Sequence, residues 1–186
     1  MQMAFYLDQT RCTGCYTCTV ACKDWHDVPA GPASWRRVLT IEKGKYPNPF
    51  VAFLATSCCH CAEPACAEAC PAGAITKREE DGVMVVNRDL CLGKDKCEMC
   101  LMACPYEAPQ FGAEQNPKMQ MCTLCPDKLT EGKKPICVAG CPMRALDAGP
   151  IDELQKEYGK AQNAVGFVYS EKTRPSIVFK PKPETT

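Results

Sequence analysis

Four times along this chain the cysteines gather into a group that ends in C-x3-C. Group one is "CTGCYTCTVAC", with Cys12, Cys15, Cys18 and Cys22. Group two, "CCHCAEPACAEACP", holds Cys58, Cys59, Cys61, Cys66 and Cys70. Group three, "CLGKDKCEMCLMACP", holds Cys91, Cys97, Cys100 and Cys104. Group four, "CTLCPDKLTEGKKPICVAGCP", holds Cys122, Cys125, Cys137 and Cys141. These groups take all 17 cysteines of the 186 residues. Every group contains a C-x2-C step. In groups two to four a proline follows the last cysteine at once (Pro71, Pro105, Pro142), where group one has Lys23.

Group one has the C-x2-C-x2-C-x3-C spacing of bacterial [4Fe–4S] ferredoxins. The others vary it by insertion, with four residues before Cys66, five after Cys91 and eleven before Cys137. Two residues between cysteines let a tight turn aim both thiolates at one cube. The last cysteine, three residues further on, is expected on the following helix, pointing away from the first cube toward a second. In two-cluster ferredoxins the fourth cysteine ligates the other cluster for this reason. The proline then fixes φ and steers the chain away. Group two has one cysteine too many. Only Cys58 makes the C-x2-C step to Cys61, so Cys59 is expected to be a small buried bystander.

Other uses of dense cysteine fit less well. Zinc sites use two separated pairs, often with histidine, yet the chain has only 2 His and sets three cysteines within seven residues. Disulfide scaffolds are short and exported, whereas the N-terminus "MQMAFYLDQTRC" has no basic start and no long apolar run. Arg36-Arg37 lies too far in, without an apolar segment behind it, to be a twin-arginine signal. The apolar run around "FVAFLATSCC" is far short of the roughly 20 residues of a membrane span. Lys+Arg and Asp+Glu are 22 each, which gives no footprint for nucleic acid. No nucleophile–base set, Gly-rich nucleotide fingerprint or pterin site is present, so the chain reads as a carrier, not an enzyme. Without its cysteines the apolar content is thin, and metal binding is expected to supply part of the folding energy.

Around the groups, "AFYLD", "VAFLA" and "VMVVN" read as strands leading into groups one, two and three. The segments "DVPAGPASWRR", "EKGKYPNPF" and "FGAEQNPKM" read as loops. "GPIDELQKEYG" reads as a helix opened by Pro150, with Ile151, Leu154 and Tyr158 on one face. "SIVF" reads as a last strand before a polar tail. His60 is expected to tune a cluster or bond the backbone; His26, Trp25, Trp35 and Tyr106 are expected to pack. Lys23, Lys94, Lys96 and Lys118 would ease reduction of nearby clusters, or would simply face solvent, where charge is screened.

On "RCTGCYTCTVACKD", "CHCAEPACAEACPAGA", "CPYEAPQ" and "CTLCPDKLTEGKKPICVAGCPMRALDAGPIDELQKEYG", the chain resembles the four-cluster electron-transfer subunits of the molybdopterin oxidoreductases. Among these it looks like the iron–sulfur (B) subunits of dimethyl sulfoxide reductases. The resemblance implies an α+β fold of two fused dicluster ferredoxin-like modules, with short strands, short helices and long loops. Residues 1–50 with 110–150 would form the first module and 51–109 the second, with 151–186 a C-terminal helix and tail. It implies four [4Fe–4S] clusters. Cluster one would take Cys12, Cys15, Cys18 and Cys141, and cluster two Cys122, Cys125, Cys137 and Cys22. Cluster three would take Cys58, Cys61, Cys66 and Cys104, and cluster four Cys91, Cys97, Cys100 and Cys70. Group three departs from the family by placing "LGKDK" where it usually has two residues. Some relatives lose a group-three cysteine and hold a [3Fe–4S] cluster; this chain keeps all sixteen ligands. The implied partners are a molybdo- or tungstopterin catalytic subunit and a membrane quinone-reactive anchor, flavoprotein or ferredoxin. The implied place is cytoplasmic, or exported with a signal-bearing partner and peripheral to the membrane. A free-standing polyferredoxin and a zinc-stabilised interaction module are the alternatives.

Overall fold

The structure, a computed structural model, describes residues 1–184. In chain order, β1 (Met3–Asp8) leads into group one, whose Cys18 and Cys22 ride on α1 (Thr17–Trp25). A hairpin of β2 (Arg37–Lys43) and β3 (Phe50–Thr56) then delivers the chain to group two and α2 (Ala65–Glu68). A second hairpin, β4 (Ile75–Lys77) and β5 (Met84–Val86), precedes group three and α3 (Met99–Ala103). Group four spans α4 (Pro126–Thr130) and α5 (Ile136–Ala139). The chain closes with β6 (Leu146–Pro150), α6 (Ile151–Tyr158) and β7 (Ile177–Lys180).

All six residues of β1 are buried, as befits a central strand covered on both faces. It pairs antiparallel with β6 and parallel with β7. Helix α6 lies on this sheet through Ile151, Leu154 and Tyr158, which meet Ala4, Tyr6 and Val178. The rings of Tyr158 and Tyr6 stack with centroids 3.9 Å apart. The other face of the sheet turns Phe5, Leu7 and Phe179 into the main core, where the cysteines lie.

The proline after each group decides where its helix stops. A residue before proline is driven out of the helical region, and Cys104 is indeed extended at φ −90°, ψ 112°. Cys70, Cys104 and Cys141 therefore sit just beyond α2, α3 and α5, not on them. The next-to-last cysteine of each group, Cys18, Cys66, Cys100 or Cys137, lies on the helix. Only group one, with Lys23 in place of proline, lets the helix run on through its last cysteine to Trp25.

The segments "DVPAGPASWRR" and "EKGKYPNPF" are not wholly loop. Arg37–Lys43 forms β2, registered from Arg37 opposite Thr56 to Lys43 opposite Phe50. Its charged ends and the half-exposed Leu39 conceal the strand in the sequence. After α6, residues 160–176 return across the fold: Val165 N–H donates to Gln9 Oε1, Ser176 N–H to the Cys59 carbonyl, and Ala62 N–H to the Arg174 carbonyl. Phe167 stacks on Tyr106 at 4.6 Å.

Candidate metal centre

Backbone amides reach six of the cysteine sulfurs. Ala74, Ala108 and Ala145 each donate N–H to the sulfur four residues earlier: Cys70 at 3.3 Å, Cys104 at 3.4 Å and Cys141 at 3.4 Å. These are three copies of one motif, C-P-x-x-A, in which proline turns the chain and the alanine amide returns to the sulfur. Its threefold repeat is visible in the sequence, although ligand spacing alone draws no attention to the alanines. At the front of the groups His60 and Leu124 donate N–H to Cys58 and Cys122, both at 3.4 Å. Amides aimed at sulfur stabilise a thiolate and tune any cluster that it holds.

Two cavities are each walled by four cysteines. One is lined by Cys12, Cys15, Cys18 and Cys141. The other is lined by Cys70, Cys91, Cys97 and Cys100. In both, three thiols come from one group and the fourth from the end of another. The insertion "LGKDK" does not carry Cys97 away. Cys97 N–H bonds the Gly93 carbonyl, and Asn116 ties the loop by accepting from Asp95 N–H and donating to the Leu92 carbonyl. Met119 N–H reaches Cys91 Sγ at 3.4 Å.

The remaining thiols neighbour one another in the same crossed manner. Burial, and then the charges of Cys122, Cys137 and Cys125, push the Cys22 thiol up. Burial and then Cys104 raise Cys61 to about 11. Burial, then Cys104, Cys61 and Cys100, raise Cys66 to about 12. Helix packing follows the same pairs, with α1 against α5 and α2 against α3. Cys15 behaves differently: it is exposed, and its hydrogen bonds with Thr17 lower its pKa. Sixteen crowded thiols, buried or half-buried apart from Cys15, suit a group that takes thiolates and supplies positive charge of its own, because coordination ionises a thiol outright. The cavities with their amide-lined sulfurs fit [4Fe–4S] cubes.

Cys59 lies fully inside, its Sγ 3.7 Å from the Ser57 carbonyl, with burial holding the thiol well above its ordinary pKa. His60 is also fully buried. Its Nδ1 accepts from Met84 N–H at 3.0 Å, and burial with the Arg36 charge lowers its pKa to about 3, so it is a neutral backbone partner. His26 does more than pack, since its Nε2 lies 3.2 Å from Cys125 Sγ. Trp25 docks α1 on α4 by donating Nε1–H to Asp127 at 2.8 Å, and Trp35 donates to Gln120 at 2.9 Å. Among the four lysines, Lys118 reaches the Cys91 carbonyl and Lys23 bonds the carbonyls of Pro29 and Gly31. Lys94 pairs with Glu98, and Lys96 is exposed. Two cations carry no signal in the sequence. Lys77 bonds the carbonyls of Cys61 and Ala62, and Arg36 is buried against Cys137, its Nη2 3.4 Å from Sγ.

Gly14, inside the first C-x2-C step, is held at φ +68°, and a Cβ there would meet the Phe53 ring at 2.4 Å. Gly14→Ala is expected to lower the stability of the loaded chain by about 2–4 kcal/mol, combining left-handed strain with overpacking. Denaturant unfolding under anaerobic conditions checks it, and an unchanged midpoint would count against this packing.

The model of the 4Fe-4S dicluster domain family matches residues 49–151. The (B) chain of the anaerobic dimethyl sulfoxide reductase of Escherichia coli (strain K12) is 46% identical over 188 residues, covering 97% of this chain and 89% of that protein. The (B) subunit of the sulfite dehydrogenase of Allochromatium vinosum is 37% identical, covering 84% and 72%. The formate dehydrogenase iron-sulfur subunit of Wolinella succinogenes is 33% identical, covering 82% and 84%. With cysteines gathered in this way and a likeness that runs along nearly its whole length, the protein is a member of the 4Fe–4S dicluster family, and within it of the electron-transfer subunits that include the (B) chains of anaerobic dimethyl sulfoxide reductases.

Proposed function

We propose that the chain carries four [4Fe–4S] cubes on the sixteen cysteines assigned above and relays single electrons through them. The partners in this reading are a molybdenum- or tungsten-pterin catalytic subunit on one side and a membrane quinone-reactive anchor, flavoprotein or ferredoxin on the other. The observation that carries it is the pair of cavities, each walled by four cysteines drawn from two groups. Thiols of successive sets also adjoin. Cys18 feels Cys137, Cys58 feels Cys122, and Cys66 feels Cys100. That order supports a wire running cube one, two, three, four. Cys22, Cys122, Cys125 and Cys137 in its middle are buried, whereas Cys15 at one end is exposed and Cys91 and Cys97 at the other are half-buried.

The division into residues 1–50 with 110–150 and residues 51–109 follows the crossing of the groups. The returning segment 160–176 binds the two together. No helix among the described residues is long and apolar enough to cross a membrane, and we place the chain at the membrane periphery by way of its partner, on the cytoplasmic side or exported with it. Iron and acid-labile sulfide analysis, with EPR of the reduced protein and identification of what co-purifies, tests the reading. Four cubes and a large pterin subunit are expected. A stable monomer carrying electrons alone would favour a free polyferredoxin, and zinc without iron or sulfide would sink the cluster reading. Cys59→Ser is expected to keep all four cubes; losing one would overturn the choice of Cys58 as ligand.

A further inference from the structure

Arg36 is the most unusual charge in the molecule. Its side chain is about 2% exposed and is among the largest that the fold buries completely. A buried guanidinium ordinarily sits on a carboxylate, because an unpaired charge inside a protein costs several kcal/mol. Among the described residues no Asp or Glu forms a salt bridge with it. Its Nη1 donates to the Ala55 carbonyl at 3.2 Å, its Nη2 to Cys137 Sγ at 3.4 Å, and its plane lies 4.3 Å from the Phe5 ring centroid. Its Nε–H is buried without a partner among the described residues.

The acidic groups that act most on Arg36 are cysteines. Burial works against its charge, while Cys137, Cys122 and Cys18 favour it. Cys18 belongs to the set of cube one; Cys122 and Cys137 belong to that of cube two. The same positive charge in turn lowers Cys12, Cys18, Cys22 and Cys122. These residues come from groups one and four, far apart in sequence, and the side chain that joins them enters from the residue just before β2. The thiols of cube four (Cys70, Cys91, Cys97, Cys100) are not among the cysteines it acts on most.

We propose that Arg36 is the shared counter-ion of cubes one and two, and that its fixed charge holds their reduction potentials above the values they would otherwise have. This rests on the ligand sets proposed above. When an electron passes along the wire, one cube is oxidised as the next is reduced, and no bond forms or breaks. Each reduction takes a cube from a formal charge of about −2 to about −3, counting iron, sulfide and thiolate. A cation held inside the protein, unscreened by salt, favours the more negative state. Arg36 thus biases electrons toward the first pair of cubes relative to cube four. Arginine suits the task because it stays charged when buried and its planar fork serves a carbonyl and a sulfur together.

The test is an EPR-monitored redox titration of the full-length, cluster-loaded protein, purified anaerobically as wild type, Arg36→Gln and Arg36→Lys. In Arg36→Gln, iron and sulfide are expected to stay complete. Two of the four couples should fall by at least tenfold in reduction constant, about 59 mV for one electron, while the cube-four couple stays in place. Arg36→Lys keeps the charge and should hold all couples within threefold of wild type. Loss of cubes in Arg36→Gln alone, with iron and potentials retained in Arg36→Lys, would equally support the counter-ion role. The proposal is overturned if Arg36→Gln has full iron and unmoved couples, if Arg36→Lys shifts the couples as far as Arg36→Gln, or if both variants lose cubes, which would make Arg36 a packing residue. Failure of the ligand assignment itself would show earlier, as wild-type protein holding fewer than four cubes.

Discussion

Replacing Cys22 by alanine is expected to extinguish the cube built on group four and to leave intact the cube of Cys22's own group. Proximity in sequence argues the reverse, since Cys22 ends the very pattern that Cys12, Cys15 and Cys18 begin. The crossed ligand sets proposed above argue the other way. Cys141, not Cys22, closes the cavity of Cys12, Cys15 and Cys18. Cys22 sits four residues beyond Cys18 on α1, on a helix packed against α5, and its thiol is raised by burial and then by Cys122, Cys137 and Cys125. The variant should hold about twelve irons where the native chain, with the four cubes proposed, would hold about sixteen, or fewer than sixteen with a three-iron signal in place of one cube. The EPR couple of the buried second cube should be the one that vanishes. Because that cube lies between the exposed first cube and the rest of the wire, electron delivery through the chain should stop while the end cubes still reduce chemically. Loss of the first cube with the second intact would sink the crossed assignment for this half of the molecule.

The candidate ligands were legible because cluster chemistry asks for thiols at fixed spacing. Cys12, Cys15 and Cys18 must share a tight turn, and the proline after Cys70, Cys104 and Cys141 must follow the cysteine it steers. Strand β1, helix α6 and strand β7 were legible for a similar reason, being local apolar patterns between turn residues. What stayed hidden depends on contacts between distant residues. Nothing in "SWRR" says that the first arginine turns inward to Cys137 and Ala55 while the second donates outward to the Tyr106 carbonyl. His26 follows the C-x3-C of group one, yet its partner Cys125 lies 99 residues away. Helix placement of the fourth cysteine failed for three groups because the steric effect of proline on the residue before it outweighs the ferredoxin spacing. The amides of Ala74, Ala108 and Ala145 were in plain view as a repeat, but ligand spacing directs attention to thiols and not to the backbone that cradles them.

The same burial that shields the thiols makes the chain's pH response depend on whether iron is present. In the metal-free fold, burial above all raises Cys122 and Cys100 to about 11 and Cys125 to about 12, from an ordinary 9.0, although the Arg36 charge pulls Cys122 the other way. Below pH 9 these thiols are protonated in folded and unfolded chains alike, and the fold keeps its full stability. As pH rises from 9 through 11 to 12, the unfolded chain releases protons that the folded chain still holds, so stability falls. At about 1.4 kcal/mol per pKa unit, these three thiols alone remove on the order of 5–10 kcal/mol, comparable with the whole stability of a domain at about 5–15 kcal/mol. Iron removes this dependence. A thiolate bound to a cube has no proton left to lose, and the binding energy adds to folding. The iron-depleted, reduced chain should therefore lose much more of its denaturant midpoint between pH 8 and pH 11 than the loaded chain does. Far-UV circular dichroism under anaerobic conditions measures both. A depleted chain indifferent to alkali, or a loaded chain that weakens in parallel with it, would show that thiol burial does not govern the stability of this fold.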